Sequence, residues 1–133
     1  MNRLNIATFV VTAFLAAAPL ANAQFGPENR YSPSSVTTLI DRVHEDLNAA
    51  YTAKRFNGAE RDRLNNAEKQ LREFNQKWTN AKFDKGELDD AIGAIQHVLD
   101  NNRMPAGTRD ALSDDVDQLR NMRQAYDRHE IGW

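Results

Sequence analysis

RDRLNNAEKQLR at residues 61–72 and RDALSDDVDQLR at residues 109–120 are the two stretches on which the fold turns. They align at an offset of 48: Arg61/Arg109, Asp62/Asp110, Leu64/Leu112, Gln70/Gln118, Leu71/Leu119 and Arg72/Arg120 are identical, and Arg55/Arg103 makes seven identities in an eighteen-residue span. Ahead of each stretch a second alignment holds at an offset of 52. There Tyr31/Phe83, Ser32/Asp84, Val36/Leu88, Ile40/Ile92, Val43/Ile95 and Leu47/Leu99 occupy equivalent places. The change of four residues between offsets is about one helical turn, so the first helix is expected to run longer, around Tyr51 to Lys54. The pattern predicts two related helical hairpins.

Apolar residues between Ser32 and Arg128 recur at spacings of three and four rather than two, which is the helical period. Val36, Leu39, Ile40, Val43, Leu47, Ala50 and Tyr51 share one face of the first helix. Leu64, Ala67, Leu71, Phe74, Trp78 and Ala81 form a heptad-like seam on the second. The third carries Leu88, Ala91, Ile92, Ile95, Val98 and Leu99, and the fourth Leu112, Val116, Leu119, Met122 and Tyr126. Capping chemistry marks the starts. Asp84 with Glu87 fits a capping box, with Phe83 able to staple onto Leu88. Ser32 repeats the arrangement, with Pro33 at the first helical position and Tyr31 and Val36 as the staple. Asn57 with Glu60 and Pro105 mark the other two starts.

The expected fold is all-α: an antiparallel four-helix bundle in which hairpins 31–81 and 83–128 cover each other's apolar stripes. The alternative is an elongated helical array, or a homodimer sharing stripes between chains. The bundle domain spans 31–129, with a flexible segment at 24–30 and a tail at 130–133, both expected to be mobile unless Phe25, Ile131 or Trp133 dock.

Residues 1–23 read as a secretory signal peptide: Arg3 supplies the early cation, Ile6 to Ala18 is uncharged and apolar, and Pro19 precedes the small-residue site Ala21-Asn22-Ala23. The run is too broken for a permanent span of about 20 apolar residues. No cysteine follows the cleavage site, so neither a lipid anchor nor disulfides are expected. The mature chain is expected to be periplasmic or secreted. Without Arg3 it carries 16 Lys and Arg against 19 Asp and Glu, a net charge of −3. Cations and carboxylates are mixed along every segment, which leaves no basic stripe for nucleic acid. About 110 residues bury roughly 60–70% of the unfolded chain's surface, enough for a core without staples.

Without cysteine, a covalent nucleophile would have to be Ser or Thr beside a base, and none of the three histidines has that company. His44 falls at the edge of the first stripe and reads as a half-buried structural residue. His97 points opposite Leu88 and Ile95, towards solvent, and His129 lies in the tail beside Glu130. His97/Asp100 and His44/Asp41 have one-turn spacing, but two ligands do not make a metal site. Asp84-Lys85-Gly86-Glu87 lacks the alternating oxygen ligands of a calcium loop. The acids Asp110, Asp114, Asp115 and Asp117 complement a helix dipole, and Asp62/Arg109 or Arg61/Asp110 are expected to bridge the hairpins.

Gln118-Leu119-Arg120 through Arg123-Gln124-Ala125-Tyr126 resembles the last helix of the small periplasmic b-type cytochromes that are four-helix bundles. The resemblance covers about nine residues and implies the same architecture. In that family a histidine directly after the tyrosine and a first-helix methionine hold the haem. Here Asp127 follows Tyr126 and the first helix has no Met, so the resemblance does not extend to a cofactor.

These readings converge on an exported non-enzymatic protein that binds another macromolecule, most simply another envelope protein, through a helical face. No catalytic, cofactor or metal residues are assigned. The competing expectation is a small-molecule carrier whose interior is lined by Trp78, Tyr51, Tyr126 and Met122.

Overall fold

In a computed structural model that describes residues 31–53 and 57–132, the chain is all-helical. The expected leader, the segment 24–30 with Phe25, Lys54, Arg55 and Trp133 lie outside the described residues. The helices are α1 (Pro33–Ala53), α2 (Gly58–Thr79), α3 (Lys85–Asn101) and α4 (Ala106–Asp127). α2 and α4 are both 22 residues long and α3 is 17, and α1 is described over 21 residues, up to Ala53.

Each start is built as its sequence dictates. The Ser32 hydroxyl accepts from the Ser35 amide at 3.3 Å. At Asn57 a full capping box forms: its side chain accepts from the Glu60 amide while the Glu60 carboxylate accepts from the Asn57 amide. Asp84 accepts from the Glu87 amide at 3.2 Å, and this amide holds its carboxyl below the ordinary carboxylate range. Pro105 caps α4 without a side-chain bond.

α2 and α4 end alike. After α2, the Lys82 amide donates to Lys77 O and the Ala81 amide to Trp78 O, with Ala81 at φ 57°. After α4, the Glu130 amide donates to Ala125 O and the His129 amide to Tyr126 O, with His129 at φ 59°. Both are Schellman closures, which need one left-handed residue just beyond the helix. Ala81 is therefore exposed in the α2/α3 turn rather than part of the α2 seam. The chain reverses there, and the buried residue that completes the corner is Phe83, edge-on to Phe74 and Trp78 and stacked on Tyr126 at 4.3 Å.

α1 packs on α2 and α4, and α3 packs on the same two, so the ring closes within one chain. Contacts between opposite ends show that neighbours run antiparallel. Lys85 at the start of α3 bonds Asp127 at the end of α4, Trp78 near the end of α2 bonds Thr37 near the start of α1, and Tyr31 pairs with Ile131 as an isolated bridge. Ile131 packs against the core, so this part of the tail docks. Apolar stripes from all four helices meet in one core whose largest members, Phe74, Leu47, Leu64, Leu71, Leu88, Ile95, Leu112, Leu119 and Met122, have almost no exposed surface. No helix among the described residues is long and apolar enough to cross a membrane.

Candidate functional site

The largest core side chains have almost no exposed surface, and the grooves among the described residues lie along the seams on the outside of the bundle. α2 and α3 share the most extensive interface and α1 and α2 the least. Along the α1/α2 seam two adjoining grooves, of about 450 and 230 Å³, share His44 and Arg72 as common walls. Their floor is the outer edge of the core, Ile40, Leu47, Leu64 and Leu71, and Tyr51 closes one end. The rim is polar.

His44 stands at the junction. Its Nδ1 lies 2.6 Å from Glu68 Oε2, and because a carboxylate only accepts, Nδ1 carries the proton. The His44 side chain is 52% exposed, at the edge of the stripe as expected. Glu68 Oε1, by contrast, is buried and without a hydrogen-bond partner. Around this pair the side chains of Asp41, Asn48, Asn65, Arg72 and Asn75 line the grooves, and among the described residues none of these side chains makes a hydrogen bond or ion pair.

The other hairpin differs at matching positions. Arg120, 48 residues after Arg72, donates to Gln96, which stands 52 residues after His44. Arg123 bonds Asp89 across α3 and α4, and Lys85 bonds Asp127, which keeps Asp127 below the ordinary carboxylate range. At the places of Arg123 and Asp89 the first hairpin has Asn75 and Thr37, and Thr37 instead accepts from the Trp78 indole at 3.3 Å. The α3/α4 face is crossed by Arg120–Gln96, Arg123–Asp89 and Lys85–Asp127, whereas the α1/α2 face is crossed by His44–Glu68 and Trp78–Thr37, with Arg72 making no bond among the described residues.

A second polar cluster lies on the other flank of α1. Asp115, expected from sequence to serve the α4 dipole, is only 1% exposed and faces α1, where Arg42 bonds its Oδ1. The inter-hairpin pairs Asp62/Arg109 and Arg61/Asp110 do not form. Arg61 lies over the Tyr51 ring at 5.9 Å, and Arg109 donates to Leu99 O and Asn102 O, where orphan carbonyls at the end of α3 attract it more directly. Asn102, 2% exposed, carries no signal in the sequence pattern. It accepts from Arg63 at 2.7 Å and donates to Glu60 O, tying the α3/α4 loop to α2.

The four residues expected to line an internal carrier site do not converge. Tyr51 stands at the end of α1 and is 42% exposed, while Trp78 and Tyr126 lie at the opposite end of the bundle, with Met122 sealed in the core. His97 is exposed and bonded to Asn101, and His129 serves as the left-handed closure of α4. Among the described residues no group of three or more His, Asp or Glu side chains is placed to hold a metal ion. Compared with known protein families, curated proteins and solved structures, the chain finds no match.

Proposed function

We propose that the mature chain, starting near Gln24, is an exported non-enzymatic protein of the cell envelope, and that it binds another protein along the α1/α2 groove. One observation carries this reading: among the described residues the side chains of Arg72, Asn48, Asn65 and Asn75 make no hydrogen bond or ion pair, whereas Arg120, at the place matching Arg72, is bonded to Gln96. Side chains with donors and acceptors over an apolar floor suit a partner surface that supplies both. We also read the hairpins as copies of one two-helix unit. The equal lengths of α2 and α4 and the repeated left-handed closures support that descent. On this reading the α3/α4 copy kept its arginine straps, while the α1/α2 copy kept His44–Glu68 and Trp78–Thr37 and turned Arg72 to binding.

Site-specific photocrosslinking in intact cells tests the proposal. A photoreactive residue at Asn65 or Asn75 is expected to trap one discrete protein, and the same residue at Gln118 on α4 is expected not to. With the trapped protein purified, Arg72→Ala should weaken binding about tenfold, the worth of one charge-assisted contact, and Arg120→Ala should not. Equal crosslinking from both faces would sink the groove assignment. A chain whose amino terminus in the cell is still Met1 would sink export by cleavage.

A further inference from the structure

Of the acids and bases that line the two adjoining grooves, Glu68 faces His44 and Lys69 faces Glu73. Asp41 on α1 and Arg72 on α2 remain. Both are exposed and both line the 230 Å³ groove from opposite walls, yet among the described residues neither side chain makes an ion pair or hydrogen bond, with the other or with anything else. The floor beneath them is Ile40 and Leu71. The matching places on α3/α4 hold no such opposed charges: Gly93 stands 52 residues after Asp41, and Arg120, 48 residues after Arg72, is bonded to Gln96 and faces Asp117.

Whatever enters the groove takes water away from both charged groups. An apolar surface would leave two desolvated charges without partners, which is costly. A surface with acids alone matches Arg72 but sets like charge against Asp41, and one with bases alone does the reverse. A surface carrying both signs answers each charge, and an apolar residue between them meets Ile40 and Leu71. We infer that the partner protein presents to the α1/α2 groove a basic side chain for Asp41 and an acidic side chain for Arg72, on either side of an apolar residue. The inference rests on the reading of this groove as a partner site, and it adds the charge pattern by which that partner is chosen.

The test is a titration, at low and high salt, of the mature chain with the purified protein that a photoreactive residue at Asn65 traps. Asp41→Asn and Arg72→Gln are each expected to weaken binding about tenfold at low salt, the worth of one charge-assisted contact, and to leave the remaining affinity less sensitive to salt. Both residues are exposed, so the fold is expected to tolerate either exchange, which circular dichroism checks. Tighter binding by Asp41→Asn together with weaker binding by Arg72→Gln would mean a partner with acids alone and would overturn the inference. Tighter or unchanged binding by both, the mark of an apolar partner, would overturn it as well. The exchanged variant Asp41→Arg/Arg72→Asp is expected to lose about a hundredfold or more, two contacts at once. Binding preserved in that variant would mean that the two residues pair with each other on docking, which again defeats the inference. Failure to trap any protein from Asn65 or Asn75 removes the partner reading itself, whereas an adverse titration removes only the charge pattern.

Discussion

Asn102 and His97, two polar residues near the end of α3, show how little a side chain's chemistry says about its weight in the fold. Asn102 is buried, and its side chain uses both ends of its amide, donating to Glu60 O at 2.9 Å and accepting from Arg63 at 2.7 Å. Truncation leaves a buried carbonyl and a guanidinium without partners, so Asn102→Ala is expected to cost about 1–3 kcal/mol. His97 is exposed and its ring meets only Asn101, one turn along the same helix. His97→Ala is expected to stay within about 0.5 kcal/mol of the parent. Urea unfolding of both variants checks the pair, and the prediction fails if His97→Ala costs as much as Asn102→Ala. The sequence marks His97 as solvent-facing because that depends only on its angle from Leu88 and Ile95. Asn102, His44–Glu68 and Asp115–Arg42 escape a sequence reading because each depends on the register between two helices, which one helix's pattern does not contain.

Within elements, the legible features are those that a single turn decides. Asn57 with Glu60, expected as a cap, closes a full capping box, whereas at Asp84, where the box is expected, the bond is the one from the Glu87 amide to the Asp84 side chain, and Ser32 accepts the expected amide. The end of α2 is not legible in the same way, because Ala81 continues the three-four spacing of the seam while Asn80 and Ala81 turn the chain into a left-handed closure. An L residue other than glycine is disfavoured in that conformation by about 1–2 kcal/mol. Gly93 presents the reverse case, a glycine inside α3 whose added Cβ would meet nothing within 4 Å. Helix interiors prefer alanine to glycine by about 1 kcal/mol. Both Ala81→Gly and Gly93→Ala are therefore expected to stabilise the protein, each by about 0.5–1 kcal/mol, because residue and backbone then agree. Thermal melts of the two single variants and the double variant are the measurement. The sites are far apart in the fold, so the gains should add, and a loss from either exchange would contradict the backbone argument.

For the whole molecule the question is whether two hairpins make one cooperative unit or two loosely joined ones. The straps argue for independence, since Arg123–Asp89, Lys85–Asp127 and Arg120–Gln96 all lie within α3/α4. These pairs are exposed, however, and exposed pairs contribute at most about 1 kcal/mol each. The core argues the other way and with larger energies: Leu71 and Phe74 of α2 are buried in the same cluster as Leu88 and Ile95 of α3 and Leu119 and Met122 of α4. Burial of each such side chain is worth about 1.5–3 kcal/mol, so no hairpin keeps a covered face if the other unfolds. Leu71→Ala, in the first hairpin, is then expected to cost about 2–5 kcal/mol and to shift the entire transition. Helix content followed by circular dichroism and the environment of Trp78 followed by fluorescence should move together. α3 and α4 make up roughly half of the helical residues, so a surviving plateau of about half the native ellipticity in Leu71→Ala would mean that the strapped hairpin stands alone. That result would also remove the reason for a closed ring, because a hairpin stable by itself does not need α1 and α2 to cover it.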